Sequence, residues 1–168
     1  MSREDPFDSA LDLELERVVD VKPALVWASW TEPERLMKWF CPKPWQTVEC
    51  DIDLRPGGIF RTVMRTPEGE LMPHSVGCYL EVVPNEKLVW TTALLPGFRP
   101  VAAATDGSDG CHTIEFTAII SLKPQGEGTR YRVVVRHGDE ASARRHVEMG
   151  FHDGWNTVLD QLVAEAKR

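Results

Sequence analysis

The sequence lacks three features that would each assign it to a large class of proteins. No apolar run approaches the roughly 18 residues of a membrane-spanning helix. The polar N-terminus has none of the apolar stretch that is typical of a secretory signal. A positive charge excess is also missing, since the formal net charge is −7, and this argues against a surface that binds nucleic acid or anionic membranes. We therefore expect a cytoplasmic protein that binds neither.

Metal-binding and cofactor-binding motifs are also scarce. The 4 cysteines lie far apart with no C-x-x-C pair, and the 5 histidines show no H-x-x-x-H spacing. No nucleophile elbow, phosphate-binding loop or dinucleotide fingerprint is present. We predict no metal and no cofactor, and we expect the cysteines to be free thiols.

Hydrophobic periodicity predicts a strand followed by two short helices. Apolar and polar residues alternate over residues 11–18, the pattern of a strand with one solvent-facing side. Residues 24–30 are predicted to form a short helix opened by Pro23. Residues 31–34 have the spacing of a capping box that starts a second short helix.

Six more strands and one helix complete the predicted order β-α-α-β-β-β-β-β-β-α. The connections between most of these strands are short turns, which are typical of an antiparallel sheet. Apolar residues recur with helical spacing from about residue 140 to the end. Residues 95–110 have no periodicity and are predicted to be a long loop. We expect residues 1–10 to form a flexible tail and residues 11–168 to form one α+β domain.

This order of elements predicts a curved sheet with a cavity. Seven strands about 4.8 Å apart span roughly 30 Å, whereas one helix is about 10 Å wide. A single helix covers the apolar face of such a sheet only if the sheet curls around it, and the two short helices then close one end. Incomplete filling of the curled sheet would leave a cavity that suits a small ligand.

Four motifs resemble those of one protein family. They are residues 23–39 (PALVWASWTEPERLMKW), 53–58 with Phe60, 77–88 and 150–155. They are similar to motifs in proteins related to the C-terminal domain of the activator of the heat-shock-protein-90 ATPase, within the START-like (SRPBCC) superfamily. The resemblance covers nearly the whole chain and supplies no catalytic motif. It implies a helix-grip fold, in which a curved seven-stranded antiparallel sheet wraps around a long C-terminal helix and leaves a ligand cavity between them.

Strand alternation and the helical stripe select candidate ligand-binding residues. Alternate residues of a strand face the same side, and aromatic and methionine side chains form adaptable apolar surfaces. For any single residue, an ordinary filled core is the alternative. The candidates are Trp39, Phe40, Trp45, Phe60, Met64, Trp90, Phe116, Tyr131, Val133, Glu148, Met149, His152 and Trp155.

Glu148 and His152 form the candidate acid–base pair. They are four residues apart in the predicted C-terminal helix, and a carboxylate at that spacing can orient an imidazole and stabilise its charge. Two interpretations stay open: these side chains face a polar pocket, or the start of the helix protrudes and leaves them in solvent.

The function favoured by these observations is binding of a small hydrophobic or amphipathic ligand without catalysis, with the 95–110 loop as a lid. One alternative is an enzyme of hydrolase or cyclase type that uses Glu148 and His152 for proton transfer. The other is a chaperone-associated stress-response module that binds proteins through its surface. The family resemblance is compatible with a homodimer and with a heat-shock chaperone as a partner.

Overall fold

Over residues 6–102 and 114–168, which are the residues described here, the computed structural model has nine strands and four helices. The strands are β1 (Asp12–Val19), β2 (Gln46–Ile52), β3 (Ile59–Arg65), β4 (Ser75–Val83), β5 (Lys87–Thr91), β6 (Leu94–Leu95), β7 (Arg99–Pro100), β8 (Phe116–Gln125) and β9 (Gly128–His137). The helices are α1 (Pro23–Thr31), α2 (Pro33–Leu36), α3 (Glu140–Glu148) and α4 (Phe151–Ala166). In these ranges no helix combines the length and the apolar character needed to cross a membrane.

Seven strands form one antiparallel sheet in the order β1-β9-β8-β5-β4-β3-β2. The pairing register shifts between Thr47 and Glu49 in β2 and between Tyr79 and Glu81 in β4. Such bulges increase the local twist of a strand and help a sheet to curl. The α+β helix-grip fold predicted from the sequence is confirmed.

The two faces of β9 show why the sheet has one buried side. Tyr131, Val133 and Val135 are buried on the inner face. On the outer face, Arg130 Nη1 lies 2.8 Å from Glu16 Oε1 of β1, within a row of similar ion pairs between the two strands. The period-two alternation thus directs apolar side chains to the core and charges to solvent.

The helix predicted from residue 140 to the end is divided into α3 and α4. Gly150 lies between them with φ of 91°, a left-handed conformation that glycine adopts at little cost. Its carbonyl oxygen accepts the Gly154 N–H at 2.8 Å, which is the first helical hydrogen bond of α4. The long helix α4 buries Phe151, Leu159 and Leu162 in the core. The shorter helix α3 is a separate element, and its buried residue is Ala143.

The capping box predicted at residues 31–34 is wrong. Thr31 is the last residue of α1, and its hydroxyl donates to the Trp27 carbonyl at 2.8 Å. Glu32 precedes α2 and its side chain makes no capping hydrogen bond. The threonine hydroxyl therefore bonds back to its own helix, which is the common local alternative to capping.

The predicted 95–110 loop is described in part. Strands β6 and β7 pair into a short hairpin, and the Gly97 N–H donates to the Gly57 carbonyl at 2.8 Å. The Phe98 ring packs closely on Gly57, since a Cβ added to residue 57 would lie 2.9 Å from the edge of the ring. Residues 103–110 of the predicted lid lie outside the described residues.

Candidate functional site

A cavity of about 540 Å³ lies between the inner face of the sheet and the start of α4. Its mouth carries two exposed apolar side chains, since Trp45 is 37% exposed and Met149 is 68% exposed. Deeper residues, such as Trp39 and Trp90, are almost fully buried. The cavity therefore opens to solvent at one end and is lined by core side chains at the other.

Nine of the thirteen candidate ligand-binding residues line this cavity. They come from strands β3, β5 and β8, from the segment between α2 and β2, from the link between α3 and α4, and from α4 itself. Strand alternation explains part of the set, because Phe60, Thr62 and Met64 are alternate residues of β3 and all face the cavity. The nine are Trp39, Phe40, Trp45, Phe60, Met64, Trp90, Phe116, Met149 and Trp155.

Tyr131 and Val133 lie on the inner face of β9 but away from the cavity. Both are buried in the core cluster. The Trp30 indole N–H donates to the Tyr131 hydroxyl at 3.1 Å, so a residue of α1 occupies the space that a ligand would need. Strand alternation predicted correctly that both residues are on the inner face of β9. Which part of that face α1 covers depends on how the helix packs against the sheet.

Glu148 and His152 lie outside the cavity, and both are exposed. Within residues 6–102 and 114–168, no hydrogen bond or ion pair joins them. Their pairing requires a continuous helix, and Gly150 ends α3 between them. Of the two interpretations left open above, the structure agrees with side chains in solvent.

Aromatic rings in successive contact form the inner surface of the cavity. Trp30 packs edge-on against Trp39, with ring centroids 4.9 Å apart. Phe60 lies 5.5 Å from Phe40 and 5.0 Å from Trp90. Because each ring is held by its neighbours in favourable tilted or edge-to-face geometry, we expect this surface to be largely preformed.

The cavity surface carries no formal charge among its described residues, since none of them is Asp, Glu, Lys or Arg. The polar side chains on it include Thr62, Thr92 and His146, together with Ser75 at the exposed end. Burial of a charged ligand group here would be costly without a partner of opposite charge. The surface is therefore suited to a neutral or mostly apolar molecule.

Gln161 of α4 holds the segment after α2 against the helix. Its side-chain amide donates to the carbonyl oxygens of Trp39 at 3.1 Å and Cys41 at 2.8 Å. The amide oxygen accepts the Lys43 N–H at 3.0 Å. Three hydrogen bonds of one side chain thus position the loop that carries Trp39 and Phe40. The helical periodicity of the sequence did not predict this role for Gln161.

A pair of histidines lies at the α3 side of the cavity. His137 Nδ1 is 2.8 Å from the Leu11 carbonyl oxygen, and His137 Nε2 is 2.9 Å from His146 Nδ1. A carbonyl oxygen only accepts, so His137 Nδ1 carries a proton. If both rings are neutral, His137 Nε2 accepts from His146 Nδ1, and His146 Nε2 is left without a proton. His146 lines the cavity and contacts the Phe116 ring.

The surroundings of His146 disfavour its charged form. Burial lowers the pKa of His146 to about 4, and the neighbouring His137 contributes in the same direction. The ring is therefore neutral near neutral pH. The sequence analysis considered His137 and His146 only as metal ligands, and the described residues contain no group of three or more His, Cys, Asp or Glu side chains arranged to hold a metal ion.

Acidification should destabilise the fold through His146. Between the lowered pKa of about 4 and its usual value of 6.5, the unfolded chain binds the proton more readily than the folded chain. The free energy of unfolding therefore falls as pH decreases through this window. We expect His146 to contribute about 1 kcal/mol to the loss between about pH 7 and about pH 5, allowing for partial solvent screening.

Urea unfolding of the wild type and of His146→Phe at both pH values measures this contribution. The variant cannot take up the proton, so its stability should fall less on acidification. The Asp139 carboxylate is near the pair, and its pKa is lowered mainly by its hydrogen bonds to Ser142. Because Asp139 is present in both proteins, its contribution cancels in the comparison. Equal losses in the two proteins would contradict the prediction.

The curved antiparallel sheet, the C-terminal helix across it and the cavity between them define a START-like helix-grip domain, a fold that suggests ligand binding. The chain belongs to the family described as Activator of Hsp90 ATPase homolog 1-like protein, because the model of that family matches residues 20–167. The family resemblance stated from the four sequence motifs is thus confirmed.

Solved structures agree with this assignment. A protein of Nitrosomonas europaea is 43% identical, with a TM-score of 0.87 over 96% of this chain and 97% of that chain. Proteins of Arthrobacter aurescens (20% identity, TM-score 0.77, 97% of this chain and 90% of that chain) and Mycobacterium smegmatis (20%, 0.72, 92% and 90%) share the fold. The comparison with curated proteins finds no match.

Proposed function

We propose that this protein binds a small hydrophobic or amphipathic ligand in the cavity between the sheet and α4, without catalysing its conversion. The observation that carries the proposal is a cavity of about 540 Å³ with no charged side chain among its described lining residues. Cavities that bind small molecules typically have volumes of about 300–1,000 Å³ and mostly apolar surfaces.

The lining residues favour binding over proton-transfer catalysis. Glu148 and His152, the pair that an enzyme was expected to use, are exposed and outside the cavity. The aromatic rings provide a large contact surface at a small cost in side-chain entropy. A ligand of about 20 non-hydrogen atoms that gains about 0.3 kcal/mol per atom would bind with about 6 kcal/mol, which corresponds to a Kd of tens of micromolar.

Intrinsic tryptophan fluorescence tests the proposal directly, because five of the 6 tryptophans line the cavity. Titration with biphenyl, with para-hydroxybiphenyl and with a medium-chain alcohol should give saturable changes in emission. Isothermal titration calorimetry should return one site per chain and the negative heat-capacity change that accompanies apolar burial. If no compound in the panel gives saturable binding by either method, the proposal is wrong.

A further inference from the structure

His146 offers the cavity a single imidazole nitrogen. Its Nδ1 is engaged by His137 at 2.9 Å, so Nε2 is the nitrogen that is left for a group inside the cavity. In the described part of the chain, no hydrogen bond to His146 Nε2 is found. Phe116 and Phe151 pack around the same half-buried ring, with centroids 5.1 Å from it in both cases, so its immediate neighbours on the cavity side are apolar.

The hydrogen-bond chain determines what Nε2 can do. The Leu11 carbonyl oxygen requires a proton on His137 Nδ1, and two neutral rings then require a proton on His146 Nδ1. Nε2 is consequently an acceptor with an unused lone pair. The strand end that carries His137 and the helix that carries His146 thus set the polarity of one point in an otherwise apolar cavity.

We propose that His146 Nε2 accepts a hydrogen bond from a neutral hydroxyl group of the ligand, so that the cavity selects apolar hydroxyl compounds over the corresponding ethers and carboxylates. The inference rests on the proposed binding function and narrows its ligand class. An ether has no proton to donate. A carboxylate only accepts, so it would face the lone pair of Nε2 with no cationic side chain among the described lining residues.

The hydroxyls of Thr92 and Ser75 do not provide this discrimination, and the buried Trp90 indole N–H, which has no hydrogen-bond partner in the described part of the chain, can donate to a hydroxyl and to an ether oxygen alike. The Thr92 hydroxyl already accepts the Phe116 N–H at 3.0 Å. Ser75 is exposed at the open end, where water competes for its hydroxyl. A free hydroxyl also rotates to donate or to accept, so it would favour neither class of ligand. A bare imidazole nitrogen, in contrast, demands a donor.

Calorimetry with three biphenyls of nearly equal shape tests the inference. At neutral pH, para-hydroxybiphenyl should bind about threefold to tenfold more tightly than para-methoxybiphenyl, as expected for one neutral hydrogen bond. The para-carboxylate should bind at least about tenfold more weakly than the hydroxyl compound, because its charge is desolvated without a partner. In His146→Phe the hydroxyl-to-methoxy ratio should fall to about one.

His152→Phe is the matched control, since it replaces an exposed histidine just beyond the cavity by the same residue. It should keep the hydroxyl preference. An unchanged preference in His146→Phe, or a lost preference in His152→Phe, overturns the inference and leaves the proposed function standing as long as the biphenyls bind. Absence of binding to the wild type by every biphenyl and by the medium-chain alcohol would overturn the proposed function, and this inference with it.

A second measurement needs neither ligand nor variant. Long-range ¹H–¹⁵N spectra of the wild-type protein distinguish protonated from bare imidazole nitrogens. We expect His146 Nε2 to be bare and His146 Nδ1 to be protonated at neutral pH. A proton on His146 Nε2 would overturn the inference even if a variant failed to fold.

Discussion

Gly154→Phe is expected to reduce the affinity for biphenyl at least about tenfold while the protein stays folded. Gly154 lies in α4 on the helix face that also presents Phe151 and Val158 to the cavity. A Cβ at this position would meet no atom within 4 Å, so the new ring can enter the cavity without a backbone clash. The ring would occupy the space that the ligand needs, and loss of apolar contact area lowers affinity steeply.

Calorimetric titration with biphenyl measures the loss of affinity, and thermal unfolding followed by circular dichroism shows whether the variant is folded. Removal of a glycine from a helix interior is itself favourable by a fraction of about 1 kcal/mol, which helps the variant to fold. The matched control is Gly154→Ala. Its methyl group is too small to fill the cavity, so it should keep biphenyl binding and should be about 0.5–1 kcal/mol more stable than the wild type. A folded Gly154→Phe protein with wild-type affinity would show that ligands bind elsewhere.

Gly128→Ala is expected to lower the free energy of unfolding by about 3 kcal/mol or more. Gly128 begins β9, and a Cβ there would lie 2.1 Å from the Val19 carbonyl oxygen and 3.2 Å from the Asp20 Cα. Both atoms belong to the backbone, so no side-chain rotation relieves the clash. The end of β1 would have to move away from β9, and the Thr129 hydroxyl would lose its 2.6 Å hydrogen bond to the Val21 carbonyl.

Gly138→Ala is the control for this substitution, since Gly138 directly follows the other end of β9. A Cβ there would meet nothing within 4 Å, and the residue does not have a positive φ. We expect its stability to stay within about 0.5 kcal/mol of the wild type or to rise slightly, through the reduced entropy of the unfolded chain. Urea unfolding at one pH compares the two variants. Equal stabilities would contradict the close approach of β1 and β9 at Gly128.

The apolar cavity surface was largely predictable because it follows local rules. The alternation of β3 correctly directed Phe60 and Met64 to one face, and the helical stripe correctly selected Trp155. The same rules selected Tyr131, which does share the inner face of its strand. Tyr131 nevertheless lies away from the cavity. Strand alternation predicts which face of the sheet a residue is on, but it does not predict that Trp30 of α1 covers the part of that face where Tyr131 lies.

The sequence pattern placed Glu148 and His152 on one continuous helix because it does not show whether a glycine ends a helix or lies inside it. Gly150 adopts a left-handed conformation and ends α3, whereas Gly154, four residues later, lies inside α4. Glycine is compatible with either state, since its helical penalty is only about 1 kcal/mol. Packing of Phe151 and the rest of α4 into the core outweighs that small difference, and it leaves Glu148 and His152 in solvent.

Residue patterns alone were sufficient for the order of elements, the family and most of the apolar cavity surface, because periodicity and turn chemistry act over a few neighbouring residues. The polar character of the cavity was decided by packing. His137 ends a strand, His146 lies in a helix, and Leu11 supplies its carbonyl oxygen from the far end of the chain. No local pattern brings these three groups together, since their contact depends on how β1, β9 and α3 pack in the folded domain.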